Sequence, residues 1–153
     1  MKASRLAVGA IVLWVATIGV FAWFFVHGAT APGSDQRTAI LLAPAERDFV
    51  LTEMRGLLSG VHGILDGIDG ADRTRIATAA RAIGMASATD VEPALMTKLP
   101  LPFKELGMSV HHDMDSLAQA AEAGKPYPEL QRMLTATMSK CIACHATWQF
   151  AKH

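Results

Sequence analysis

The sequence predicts an all-α protein in which one N-terminal transmembrane helix precedes an antiparallel four-helix bundle. Three observations support this fold class. One long uncharged segment lies near the N-terminus, four later segments repeat apolar residues at spacings of three and four, and no segment alternates in the way that strands do. The connections between the four segments are short turns and one longer crossing, which is typical of an antiparallel bundle.

The N-terminal segment is uncharged from Leu6 to Val26 and follows Lys2 and Arg5. A helix that rises about 1.5 Å per residue would span about 30 Å here, the thickness of one bilayer core. Residues 1–28 are therefore predicted to be a membrane anchor. The positive charges keep the N-terminus cytoplasmic, so the predicted location is single-pass in the inner (cytoplasmic) membrane, with the following domain in the periplasm of a Gram-negative cell.

A cleaved signal peptide is the alternative, because Ala29-Thr30-Ala31 resembles the small-residue site of a signal peptidase. The apolar segment is longer than a signal peptide needs, and Pro32 follows the cleavage point. We therefore favour a retained anchor. The small residues, Pro and Gly of residues 29–37 predict a short tether after it.

Four amphipathic helices are predicted in the exported part. They cover about residues 44–68, 71–87, 103–123 and 128–150. On the first of them, one face is predicted to be buried, and it carries Leu51, Met54, Leu58, Val61, Leu65 and Ile68. Between the second and third helices, residues 88–102 contain three prolines that predict a crossing loop with one short turn.

The exported part is long enough for one modest domain with one core. From residue 38 onward it contains 11 Lys and Arg against 13 Asp and Glu, so the domain is slightly acidic. A nucleic-acid partner is therefore not expected.

Both cysteines of the chain lie in Cys141-Ile142-Ala143-Cys144-His145, close to the C-terminus. Two cysteines three apart on a helix point their sulfurs to one side, so each can form a thioether to one haem vinyl group. His145 can then present its imidazole to the iron. The motif predicts one covalently attached haem c, held on the core-facing side of the last helix.

Three other interpretations of the cysteine pair fit the sequence less well. A thioredoxin-like redox pair begins a helix after a strand, and no strand is predicted upstream. A structural zinc site needs four ligands and would have to recruit distant histidines such as His111 or His112. A disulfide between residues three apart within a helix has poor geometry. No set of catalytic acid, base and nucleophile accompanies the motif, so no enzyme is predicted.

A haem motif in the last helix of a four-helix bundle resembles the cytochrome c prime family, over roughly residues 40 to 153. Three further matches support the resemblance: Arg47-Asp48-Phe49-Val50-Leu51 in the first helix, Phe103-Lys104-Glu105-Leu106 at the start of the third, and Trp148 three residues after His145. Residues 38–153 are accordingly predicted to be the haem domain.

The resemblance implies roles for individual residues. Arg47 would pair with a haem propionate, and Leu51 would lie over the distal haem face, with Trp148 beside the haem. Leucine has no donor atom, so the iron would be five-coordinate with His145 as its axial ligand. Such a site would bind small gases such as NO or CO, transfer electrons, or do both.

Met54 provides the alternative, because it lies one helical turn from Leu51 and a modest change of register would bring its sulfur to the iron. The protein would then be a six-coordinate His145/Met54 electron-transfer cytochrome. Gln149 departs from the family, which often has a basic residue four after the haem histidine, and the anchor is a second departure. The redox partner proteins and the oligomeric state, a homodimer included, are left open.

Overall fold

The computed structural model describes residues 4–89 and 91–152. Lys2 and the last residue of the predicted haem domain lie outside this part. The described residues are mostly helical, as predicted. The elements in chain order are α1 (Arg5–His27), β1 (Thr30–Pro32), β2 (Thr38–Leu42), α2 (Pro44–Asp69), α3 (Arg73–Ala82), a 3₁₀ turn (Met85–Ala88), α4 (Pro93–Lys98), α5 (Leu101–Glu122), α6 (Tyr127–Thr147) and β3 (Trp148–Lys152).

α1 confirms the predicted apolar helix and is one residue longer at each end. It begins after Ser4, whose hydroxyl accepts a hydrogen bond from the Ala7 N–H at 3.2 Å. It ends at Gly28, whose φ of 65° is readily adopted only by glycine. No side chain of α1 is buried by the rest of the described chain, and the helix is long and apolar enough to cross a membrane.

A three-stranded sheet was not predicted, so the expectation of a purely helical domain is wrong in this respect. β1 pairs antiparallel with β2, and β2 pairs parallel with β3. Residues 29–37, predicted to be a tether, contain β1. The partners β2 and β3 lie more than 100 residues apart in the chain, with Ile40 opposite Phe150. Such short strands exist only because their distant partners and the core beneath them are in place.

The predicted helices are found with changed ends. α3 stops earlier than expected, because the Asp115 carboxylate on α5 accepts the Met85 N–H at 3.0 Å and fixes a separate 3₁₀ turn. Pro93 begins the short helix α4 in the crossing loop, since proline fits the first turn of a helix. α6 ends at Thr147, three residues before the predicted end, where the chain turns into β3.

Two apolar clusters hold the described chain together. The main core joins α2, α3, α5 and α6, and its fully buried side chains include Ile64, Ile76, Met114, Leu117, Leu130 and Leu134. The second cluster, here named the sheet-end core, lies under the sheet. It consists of Ile40, Leu42, Val50, Leu95, Leu99 and Phe103, with Met54, Val91, Met96, Cys144, Trp148 and Phe150 packed against it.

The buried face of α2 differs from the predicted one. Leu58 is 70% exposed and Leu65 is 43% exposed, although both were expected to be buried. Gly60 and Gly67 are buried instead, because the side chains of Ile83 and Ile76 occupy the space that a Cβ would need. α2 therefore packs on Ile76 and Ile83 through the face that carries these two glycines. The face that carries Leu58 and Leu65 points toward solvent.

Candidate haem-attachment site

The two cysteines lie in the last two turns of α6. Both thiols are unpaired and both side chains are half-buried, while His145 is exposed. Earlier on the same helix Leu130, Leu134 and Thr137 are buried. The core-facing stripe of α6 therefore becomes half-exposed as it reaches the motif. His145, expected with the motif on the core-facing side, is exposed instead.

The chemistry of this donor set fits a covalent haem c. The two sulfurs are three residues apart on one helix and are not joined to each other. Cys144 packs against the apolar sheet-end core, and the next residue supplies an exposed imidazole. A porphyrin needs two accessible thiols on one side of a helix, an apolar surface and one axial nitrogen, and the residues present supply all three.

The thiols are poorly suited to redox exchange. Burial raises the pKa of Cys141, and burial together with the neighbouring charge of Cys141 raises the pKa of Cys144 to about 11. The pair also lies at the C-terminal end of a helix, where the helix dipole disfavours an anion. A thioredoxin-like pair needs a lowered thiol pKa, so this environment argues against that alternative.

The histidines of the zinc alternative do not approach the cysteines in any metal-binding group. His111 is half-buried on α5, with its Nδ1 3.0 Å from the Ile83 carbonyl oxygen, and His112 is exposed. Within residues 4–89 and 91–152, no group of three or more His, Cys, Asp or Glu could hold a metal ion.

Aromatic residues form the side of the sheet-end core nearest to β3. The Phe103 ring meets Trp148 edge-on at 5.6 Å between centroids and meets Phe150 edge-on at 5.9 Å. Trp148 was expected on the last helix, but it is the first residue of β3. It still packs on the same core as Cys144, so it remains beside the motif.

The two candidates for the distal position, Leu51 and Met54, are both half-buried on α2. Met54 packs against the sheet-end core, as Cys144 does from α6. Leu51 is not among the described residues packed on that core. The structure thus brings Met54 and Cys144 to one apolar cluster.

Arg47 lies one turn before Leu51 on α2. Its Nη1 is 3.9 Å from Asp48 Oδ1, and its side chain is 35% exposed. An exposed ion pair at this distance holds the guanidinium only weakly, so Arg47 remains able to meet another anion.

One residue at the motif, Arg37, is not indicated by the sequence. Its Nη1 donates to the backbone carbonyl of His145 at 3.2 Å, and its Nη2 donates to Gln149 Oε1 at 3.4 Å. Arg37 precedes His145 by more than 100 residues, and no local pattern signals the contact. Only the pairing of β2 with β3 reveals it.

Comparisons of the chain with protein-family models, with curated proteins and with solved structures give no match.

Proposed function

We propose that this protein is a membrane-anchored c-type cytochrome related to the cytochrome c prime family. One haem c is attached through Cys141 and Cys144, with His145 as the axial ligand. The observation that carries the proposal is the motif in its setting: two unpaired, half-buried thiols three residues apart, followed by an exposed imidazole and bordered by an apolar aromatic core.

The proposed haem domain is an antiparallel four-helix bundle of α2, α3, α5 and α6. Its support is the order of packing, in which α2 packs on α3, α3 on α5, α5 on α6, and α6 meets α2 again. All four helices contribute to the main core. Short turns after α2 and after α5 favour opposite directions for the helices they join.

The proposed activity is reversible electron transfer with redox partner proteins, together with binding of small gases such as NO or CO at an open position under Leu51. A leucine offers the iron no donor atom, and an apolar pocket admits small uncharged molecules. A second candidate is a six-coordinate electron carrier with Met54 as the other axial ligand. The packing of Met54 on the same core as Cys144 is the observation that favours it.

Covalent haem attachment is tested on the denatured full-length chain, produced in cells that make c-type cytochromes. We expect haem to stay with the polypeptide after denaturation, and the intact mass to exceed that of the chain by one haem. Neither cysteine should then react with iodoacetamide, because both sulfurs are in thioethers. Two reactive thiols and no haem would instead support a thiol protein.

The membrane anchor is proposed to remain attached, with the N-terminus in the cytoplasm and the haem domain in the periplasm. The end of α1 is bound to the domain. Lys104 is buried, and its Nζ donates to the Phe25 carbonyl at 2.9 Å and lies 3.7 Å from the centre of the Phe25 ring. The Ala29 N–H donates to the Lys98 carbonyl at 2.8 Å. These contacts support a retained helix because cleavage after Ala31 would remove them.

We therefore expect the purified protein to have the mass of the uncleaved chain plus one haem, and to stay in the membrane fraction after an alkaline wash. The apolar segment is long enough to span the bilayer, and Pro32 disfavours cleavage. Intact-mass measurement and cell fractionation check this together. A mature N-terminus at Pro32, with the protein in the soluble periplasmic fraction, would contradict the anchor.

A further inference from the structure

We infer that Arg37, held in place by Asp35, is a positioning residue for His145, and that the charges of Arg37 and Asp35 shift the reduction potential of the haem iron in opposite directions. The inference rests on the proposed function, because it needs an iron bound to His145. It concerns two residues outside the cysteine motif, in the turn between β1 and β2.

The end of α6 has backbone carbonyls that need hydrogen-bond partners from outside the helix. The last four carbonyls of a helix have no partner within the helix. The Trp148 N–H donates to the Cys144 carbonyl, and the next carbonyl, that of His145, accepts from Arg37 Nη1 at 3.2 Å. Arg37 therefore fixes the helical turn that carries the axial histidine.

Arg37 reaches the His145 carbonyl because of the way in which β2 pairs with β3. β2 and β3 run parallel, with Thr38 opposite Trp148, so the residue just before β2 lies beside the residues just before β3. The turn is tight: the Gly33 N–H donates to the Arg37 carbonyl at 2.8 Å, and a Cβ on Gly33 would overlap the Arg37 carbonyl and the Gln149 amide. The Arg37 backbone is thus held next to the end of α6, within reach of the His145 carbonyl.

Asp35 is the charged partner of Arg37. Asp35 accepts hydrogen bonds from Arg37 Nε at 2.8 and 3.0 Å, and one from its backbone N–H at 3.3 Å. The carboxylate raises the pKa of the guanidinium, which stays charged, and the hydrogen bond from Arg37 lowers the pKa of Asp35. A cation and an anion are therefore both held beside the residue that binds the iron.

The physical consequence follows from Coulomb's law. Ferric haem carries one more positive charge than ferrous haem, so a nearby cation favours the ferrous state and a nearby anion favours the ferric state. Removal of Arg37 would leave Asp35 uncompensated, and removal of the Asp35 charge would leave Arg37 uncompensated. The two substitutions should shift the reduction potential in opposite directions.

The test is a spectroscopic redox titration of the purified haem-loaded full chain in detergent. We expect Arg37→Gln to lower the reduction potential and Asp35→Asn to raise it. Each should change the ferrous-to-ferric ratio at a fixed potential by about threefold, or about 30 mV. The double variant should lie near the wild-type value. Arg37→Lys, which keeps the charge, should lie closer to wild type than Arg37→Gln.

Arg132→Gln is the matched control, since it removes the same charge from an exposed position on α6 well before the motif. It should leave the potential unchanged. If Arg37→Gln is poorly folded, Asp35→Asn alone still tests the inference, because removal of the Asp35 charge should raise the reduction potential.

Equal potentials in all variants, or shifts of the same sign in the two single variants, would overturn this inference while the protein remained a cytochrome. A wild-type chain that carries no haem would overturn the proposed function, and this inference with it. The haem content of the wild-type protein therefore separates the two failures.

Discussion

Replacement of both Cys141 and Cys144 by alanine should abolish haem attachment and lower the thermal stability of the domain that follows α1. Cys144 packs on the sheet-end core, so an attached porphyrin would lie against that apolar surface. If about 200 Å² of apolar area is buried there, its loss would remove about 5 kcal/mol. The midpoint of thermal unfolding, measured by circular dichroism on the full chain in detergent, checks the prediction.

The damage should be greatest at the sheet end of the molecule. The main core draws its side chains from α2, α3, α5 and α6 and does not include the cysteines. Part of the helical signal should therefore survive, while hydrogen exchange should accelerate in β2, α4 and β3. Ile142→Ala is the control, because Ile142 lies inside the motif but is 71% exposed. Native-like stability in the double-cysteine variant would contradict a structural role for the haem.

The reduced wild-type protein should be mainly five-coordinate and high-spin, and should bind CO or NO without displacing a protein ligand. The reason is the resemblance of the Arg47–Leu51 segment to the cytochrome c prime family, by which Leu51, a side chain without a donor atom, would lie over the iron. Optical spectra with and without CO check the coordination state. Leu51→Ala should open the pocket and speed CO association about tenfold. This corresponds to an activation free energy for CO association that is lower by about 1.4 kcal/mol.

Variants at Met54 separate the two candidate functions. With an open site, Met54→Ala should barely change the ferrous spectrum. Met138→Ala, on the exposed side of α6, is the control for the loss of a thioether elsewhere. A six-coordinate, low-spin wild-type spectrum that becomes high-spin in Met54→Ala would make Met54 the ligand. The six-coordinate electron carrier would then be the better-supported function, in place of the five-coordinate gas-binding haem.

Features that depend on local sequence were predicted well. The apolar segment of α1 and the helical repeats of α2 and α5 each carry their signal within one element. The spacing of Cys141, Cys144 and His145 is equally local, because residues three and four apart on a helix share a side wherever the helix packs. The ends of α2 and α5 were predicted to within two residues, since prolines and glycines mark them.

Features that depend on contacts between distant residues were not predicted. The exposed leucines of α2 show this, because the same helix could bury either its leucines or its glycines, and the fit of Ile76 and Ile83 against Gly67 and Gly60 decides the rotation. Trp148 was assigned to a helix because nothing near it reveals that β2 is its neighbour.

The sequence by itself determined the candidate haem-binding residues, two thiols and an imidazole on one helix, and an apolar segment able to span a membrane. Only the tertiary structure decided what surrounds them. It brought Met54 and Trp148 to the core that Cys144 contacts, and it placed the Arg37 guanidinium on the His145 carbonyl. The physical reason is the separation in sequence over which each kind of interaction acts. Helical periodicity acts over three or four residues, whereas hydrogen bonds and packing between distant segments form only when the whole chain has folded.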